Sequence, residues 1–505
     1  MSPTSGATGA PSRPKPRRLR PATKVAERSE DFRRGDALGV HAQVGLSDVL
    51  LLTFAAAVLV LSYTIVGASD GALPLSILTV ALGALVAWTL ASAREAPFAP
   101  VGFLPLYTAM TIIASVMVAA FIGFPGTFLS QDLLTPRLYL VLVLFFLGLL
   151  IGCLAPVRRR VTLDAAVLTK SRPITVVAGY GALVLVAVMR VGQLVLNGAG
   201  SWNLSRGTDF SMASQFEIIA SVLPLVGLAL LLLGDHRERR VVLAPGALII
   251  LAVWASAALA IGTRDDVIGP LVMLTWAYHC RVRRLRMRGI ACLAVAGLLL
   301  FALAGVWRVG GSIGTTGAPL AELVRPISSG TNTTALTVHQ VPASSPYLYG
   351  ETYFSSLKYA LPSGTLSGAE TENLSAALRF PSLINYTANS GLGFSPIAEA
   401  YWNFGLVGAF LVPVFIGSVM RWCYARSRAF AMTPLHLLYA ITLARVPIAL
   451  RSDFLQQYKG ILIAFTLITM VWYFDRIIAG RHVGTEVPDE IRSADLSSDL
   501  NEVNP

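Results

Sequence analysis

About twelve long apolar runs decide what this chain can fold into. They fall at 49–66, 73–91, 101–122, 138–155, 174–195, 216–234, 243–261, 267–280, 289–307, 402–420, 434–450 and 460–478. Most are the length of about 20 residues that crosses roughly 30 Å of hydrocarbon at 1.5 Å per residue. In hydrocarbon every backbone N–H and C=O must find its partner inside the protein, so helix is the default. A barrel would show alternating strands of about ten residues, and these runs do not alternate. Composition points the same way, with 54% hydrophobic and 13% charged residues. Soluble domains carry about 25% charge, and half that supply cannot cover a water-facing surface. The expected fold class is an all-α polytopic membrane protein of about 12 transmembrane helices.

Sidedness follows from charge. The net charge of +12 would suggest nucleic acid in a soluble protein, but the positive-inside rule explains it more simply. Place the N-terminus in the cytoplasm, and Arg94, Arg158 to Arg160, Lys170, Arg172, Arg237, Arg239, Arg240, Arg281 to Arg288, Arg421, Arg426 and Arg428 all lie inside. An odd error in the span count would scatter them. Both termini are therefore predicted cytoplasmic. Residues 1–47 lack the apolar core of a cleavable signal and read as a disordered basic tail that meets anionic lipid. Residues 48–307 hold helices one to nine, 308–400 form one large extracytoplasmic loop, 401–478 hold the last three helices, and 479–505 form an acidic disordered tail. Structureless loops beyond about 15 residues are uncommon. The stretches TYFSSLKYAL (352–361) and ENLSAALRFPSLINY (372–386) have helical spacing of apolar residues. They predict two or three short helices over the bundle.

Candidate chemistry sits on the outer side. Arg190, Arg264, Arg308, Arg445 and Arg451 share a similar outer depth, where the charge bias disfavours them. A charge inside a span costs about 2.5–3.5 kcal/mol on insertion scales, so it usually faces a polar cavity. The planar guanidinium suits phosphate oxygens, which makes this group a candidate pyrophosphate pocket. Snorkelling and ion pairing are the alternative, Arg264 with Asp265 or Asp266 and Arg451 with Asp453. His339 is the sole histidine of the large loop and could take a proton near neutral pH. Glu399 lies just before the tenth run with Tyr401, Trp402 and Asn403. It reads as a general base or as the partner of an arginine. Adjacent Asp265 and Asp266 are too few ligands to argue a metal, and none is expected, nor a cofactor. The four cysteines have no metal-ligand spacing. P-loop, GxSxG and HExxH motifs are absent, which removes the sequence case for ATP hydrolysis, serine hydrolysis and zinc proteolysis.

The segments IGTRDDVIGPLVMLTWAYH (261–279), GFSPIAEAYWNFGLVGAFLVP (393–413) and ALRSDFLQQYKG (449–460), with the large loop, resemble the bacterial O-antigen polymerases, or oligosaccharide repeat-unit polymerases, and more distantly the O-antigen ligases. The resemblance implies a glycosyltransferase fold of the C type. It also implies glycosyl transfer from undecaprenyl pyrophosphate to an acceptor glycan, without metal or nucleotide sugar. Arg264 and Arg451 match outer arginines that hold the pyrophosphate, and Glu399 matches the acid of an E-x-Y-x-N-F-G stretch. His339 is the one counterpart of the ligases' loop histidine, without its flanking motif. The partners implied are an undecaprenyl-pyrophosphate-linked oligosaccharide and membrane lipid, with a chain-length regulator or flippase as further candidates and no nucleic acid. The alternatives are a lipid-linked oligosaccharide flippase or transporter, or a ligase-type transferase to a different acceptor.

Overall fold

The computed structural model describes residues 98–121, 133, 135–154, 172–198, 212–234, 242–283, 285, 289–290, 319–358, 375–384, 394–427, 434–449 and 452–483. Among these residues every long regular element is a helix. In chain order they are α1 (Pro100–Phe121), α2 (Pro136–Leu154), α3 (Pro173–Asn197), α4 (Met212–Gly234), α5 (Pro245–Ile261), α6 (Arg264–Arg281), α7 (Pro319–Gln340), α8 (Glu351–Lys358), α9 (Ala376–Leu383), α10 (Pro396–Ser427), α11 (Pro434–Ala449) and α12 (Phe454–Val483). The expected spans at 49–66 and 73–91 and the tail at 1–47 lie outside the described residues, as do most of the span at 289–307 and most of the tail at 479–505.

Proline opens α1, α2, α3, α5, α7, α10 and α11. Its fixed φ suits the first helical position, where its missing N–H would have been unpaired anyway. The helices at Pro136–Leu154, Pro173–Leu196, Pro396–Ser427 and Gln457–Ile478 are long and apolar enough to cross a membrane. Large apolar side chains nonetheless point outward, such as Val195 at 77% and Phe415 at 67% exposure. Water would penalise such surfaces and hydrocarbon does not. The fold is that of a helical membrane protein.

Small residues let backbones meet. A Cβ on Gly148 would strike the Phe410 carbonyl, one on Gly152 the Val414 carbonyl, and one on Gly417 would come within 2.6 Å of the Leu149 carbonyl. Thus α2 and α10 run parallel, joined through a small-xxx-small seam. Between α3 and α4 the matched positions run in opposite order, Gly179 against Leu231 and Gly234 against Val176, so that pair is antiparallel. Tyr439 donates to the Phe98 carbonyl, and Tyr107 donates to the Pro447 carbonyl at 3.1 Å, which aligns α1 with α11. One end of the bundle carries Arg172 over Trp472 and the buried bond from Thr175 to Asp475 at 2.7 Å. The opposite end carries Glu399 and the starts of α2, α10 and α12.

Two features depart from the sequence expectation. The two short helices α8 and α9 lie within the stretches expected to form them, but the large loop also contains α7, a 22-residue helix. Its Thr331, Thr333, Thr334 and Thr337 are buried. Three of them return their hydroxyls to the helix itself, Thr333 and Thr334 to the Gly330 carbonyl at 3.0 and 2.7 Å and Thr337 to the Thr333 carbonyl at 2.7 Å. Those bonds remove the polarity that argued for a loop. The second departure is at the Glu399 end, where α10 and α12 begin a turn or more before their apolar runs, at Pro396 and Phe454 rather than 402 and 460. Tertiary bonds described below hold those polar turns helical.

Candidate functional site

Glu399 lies in the first turn of α10 with 1% exposure. One carboxylate oxygen accepts the Thr352 hydroxyl at 2.9 Å, and the other accepts the Phe454 backbone N–H at 2.7 Å. Asn403, one turn on, donates its amide to the Thr352 hydroxyl and to the Glu399 carbonyl, both at 2.8 Å. This single side chain therefore ties α8, α10 and α12. Its place at the N-terminus of α12 is favourable, because first-turn N–H groups lack helical partners and the helix dipole attracts an anion. Asp453 immediately precedes α12 and is fully buried. It accepts the Ser375 hydroxyl and, at 3.4 Å, the Ala377 N–H, which brings the start of α9 to the same point. Tyr353 of α8 packs on Phe404 and Phe454 with ring centroids 6.0 and 5.3 Å away. Desolvation, then the negative charges of Glu399 and Asp453, push its phenol well above the usual tyrosine range.

A second charged group joins α3, α6 and α11. Arg190, 1% exposed, meets Asp266 at 2.6 Å and Gln193 at 2.7 Å. Arg445 is buried as well, close enough to Asp266 to feel its charge. Gly460 leaves the space for it, since a Cβ there would sit 3.1 Å from the Arg445 guanidinium. Two arginines thus gather about one carboxylate.

A third group forms where α10 breaks its helix. Gly405 has φ 62° and ψ −144°, a region essentially confined to glycine. A Cβ there would also press the Tyr347 ring at 3.3 Å. The break frees the carbonyls of Trp402 and Asn403, which accept the N–H groups of Leu348 and Tyr349 at 3.0 and 2.9 Å. The connector between α7 and α8 is thereby strapped along α10. Arg137, at the start of α2, donates to the Tyr347 hydroxyl at 3.1 Å and lies 5.5 Å above the centre of the Tyr401 ring.

The structure brings Arg190, Asp266 and Arg445 together, and Glu399 with Asn403 near Asp453. Tyr401 is buried and donates to the Val341 carbonyl at 3.1 Å, which fixes the chain just after His339. His339 itself is exposed in the last turn of α7. Arg264 and Asp265 lie in the first turn of α6, their side chains outside the described residues, and Arg308 and Arg451 lie wholly outside them. The ion-pair alternative named Asp265 or Asp266 for Arg264, whose side chain lies outside the described residues; Asp266 pairs with Arg190. Thr352 and Arg137 were not among the sequence candidates. Thr352 carries no signal a sequence reader would catch. Arg137 does, since it stands at the outer start of a span, the criterion that selected the other five arginines. Among the described residues no group of three or more metal-ligating side chains forms.

Comparison with known proteins adds the family. No curated protein and no solved structure gives a significant match. The family model described as O-antigen polysaccharide polymerase Wzy matches residues 137–481. That stretch runs from the start of α2 to the end of α12 and contains every residue of the three groups above. The chain belongs to the O-antigen polysaccharide polymerase Wzy family.

Proposed function

We propose that this polymerase joins lipid-linked oligosaccharide repeat units on the outer face of the bacterial cytoplasmic membrane, taking each glycan from a polyprenyl pyrophosphate and passing it to an acceptor glycan. Family membership supports repeat-unit polymerisation. The observation that carries the finer reading is the pair of buried arginines, Arg190 and Arg445, gathered about Asp266 at the same end as Glu399. Positive-inside bias favours the cytoplasm for the end with Arg172, Arg421, Arg426 and Arg476, so the Glu399 end faces out. The whole arrangement reads as about twelve spans with both termini inside and a type C glycosyltransferase plan, with α7, α8 and α9 in the outer loop.

In this reading the acceptor hydroxyl attacks the anomeric carbon, the bond from that carbon to the pyrophosphate oxygen breaks, and the configuration inverts. Arg190 and Arg445, with Arg264, Arg308 and Arg451, stabilise the charge on the departing pyrophosphate. His339, exposed in the last turn of α7, takes the hydroxyl proton. Both oxygens of Glu399 already hold structural donors, so Glu399 is assigned to positioning α8 and α12 around the reacting groups. Electrophoresis of surface glycan from a deletion strain tests the activity. Single repeat units on the surface support it, long polymer in that strain contradicts it, and repeat units trapped on the inner leaflet indicate a flippase instead.

A further inference from the structure

The residues Arg137, Tyr347 and Tyr349 have no part in the transfer step above, yet the fold holds them with unusual care. Tyr349 has φ 47° and 75% exposure. A left-handed backbone is costly for a residue with a Cβ and persists where surrounding structure enforces it. Here the Asn403 carbonyl holds the Tyr349 N–H at 2.9 Å. The next residue, Gly350, at φ 90°, could carry no Cβ without striking the Phe404 ring at 2.8 Å. The strain places a large ring in the open. Tyr347 stands beside it with ring centroids 6.4 Å apart and nearly perpendicular planes. Beside Tyr347 lies the Arg137 guanidinium, half-buried. Among the described residues no carboxylate pairs with it, and its named contacts are the Tyr347 hydroxyl and the Tyr401 face. The platform is tied to Asn403, whose carbonyl holds the Tyr349 N–H and whose amide holds the Glu399 carbonyl, so it lies beside the Glu399 contacts that position α8 and α12.

We propose that Tyr349, Tyr347 and Arg137 form a saccharide-binding subsite, in which an exposed tyrosine face stacks on a sugar ring and the guanidinium donates to its hydroxyl or carboxylate oxygens. Amphipathic rings suit this task, since they supply apolar area and a polar edge at little cost in conformational freedom. Arginine supplies several donors in a fixed plane. The occupant is a sugar of one of the two reacting glycans, the acceptor chain or the lipid-linked unit. This assignment rests on the polymerase reading above and adds to it how the enzyme keeps hold of glycan between transfers.

The experiment uses the full-length protein in lipid nanodiscs, supplied with lipid-linked repeat units. Tyr349→Gly relieves the backbone strain while removing the ring. It is expected to raise the melting temperature, shorten the product distribution, and raise the KM for one glycan about fivefold, the size of one aromatic contact. A rise for the growing chain places the acceptor on the platform, and a rise for the single lipid-linked unit places the donor there. Arg137→Gln is expected to shorten the product as well. Tyr349→Leu separates this from simple anchoring at the membrane interface: leucine keeps an apolar anchor, so anchoring predicts wild-type product and the proposal predicts short product. Wild-type product length and unchanged KM for both glycans in Tyr349→Gly overturn the proposal. Failure of the wild-type protein to make any polymer overturns the polymerase reading instead.

Discussion

The carboxylate of Glu399 accepts the backbone N–H of Phe454 at 2.7 Å, so a side chain from the first turn of α10 caps the start of α12, 55 residues later. The same carboxylate holds Thr352 of α8. Losing the carboxylate would strand both donors in the interior, and each stranded group costs about 1–3 kcal/mol. Glu399→Ala is expected to lower thermal stability strongly in nanodiscs. Glu399→Gln, which keeps one carbonyl for Phe454, should fall between Ala and wild type. Melting curves check the order, and equal stability of all three proteins contradicts the capping role.

Arg190 and Asp266 make the buried pair at 2.6 Å. Removing one partner of such a pair typically costs about 3–5 kcal/mol, because the other charge stays buried alone. Asp266→Asn is expected to destabilise the fold by an amount of that order, and Arg190→Gln together with Asp266→Asn by less than the sum of the two changes. A double-mutant cycle on unfolding in detergent measures the coupling. Additive effects contradict it.

How much of this was legible from sequence depends on distance along the chain. Apolar runs placed the described helices to within a turn or so at most ends, because backbone pairing in hydrocarbon leaves helix as the default. The helix α7 was missed because Gly330, Asn332 and a cluster of threonines lack helix propensity, and only burial with local hydroxyl bonds reverses that preference. Arg190 and Arg445 stood out from their depth alone. Their shared partner Asp266 was named only for Arg264, since the choice of partner is made by the crossing of α3, α6 and α11. The same holds for Glu399, whose bonds to Thr352 and Phe454 span 47 and 55 residues. The GLLIG stretch at 148–152 was plain in the sequence, but its meaning depended on knowing that α10 lies against it.

That seam gives a direct prediction. Gly152→Leu pushes a side chain into the Val414 carbonyl, and neither backbone can retreat without opening the α2–α10 contact. Folded yield should fall severely, whereas Gly181→Leu, where a Cβ meets nothing within 4 Å, should be tolerated. Size-exclusion profiles of the two variants decide this.

Acid should loosen the α8–α9 clasp. Arg379 donates to both oxygens of Glu351, at 2.9 and 2.5 Å, and those bonds hold the Glu351 carboxyl below its ordinary value of 4.5. A depressed carboxylate stabilises the fold above its unfolded pKa, and that contribution is lost as pH falls through the folded value. Glu351 is half exposed, so the effect is local and screened by salt. Protection of α8 and α9 amides, taken relative to intrinsic exchange at each pH, is expected to fall below about pH 4, with Arg379→Gln poorly protected at all pH values. Protection that does not change with pH in the wild-type protein contradicts the clasp.

The polymerising reaction is tested most directly in a purified system. Full-length protein in proteoliposomes would receive a polyprenyl-pyrophosphate-linked repeat unit and no nucleotide sugar. The expected result is a ladder of glycans differing by one repeat, with release of one polyprenyl pyrophosphate per bond formed, and loss of the ladder in Arg190→Ala and Arg445→Ala proteins that still fold. Repeat units that stay single, or that merely cross the bilayer unchanged, contradict it.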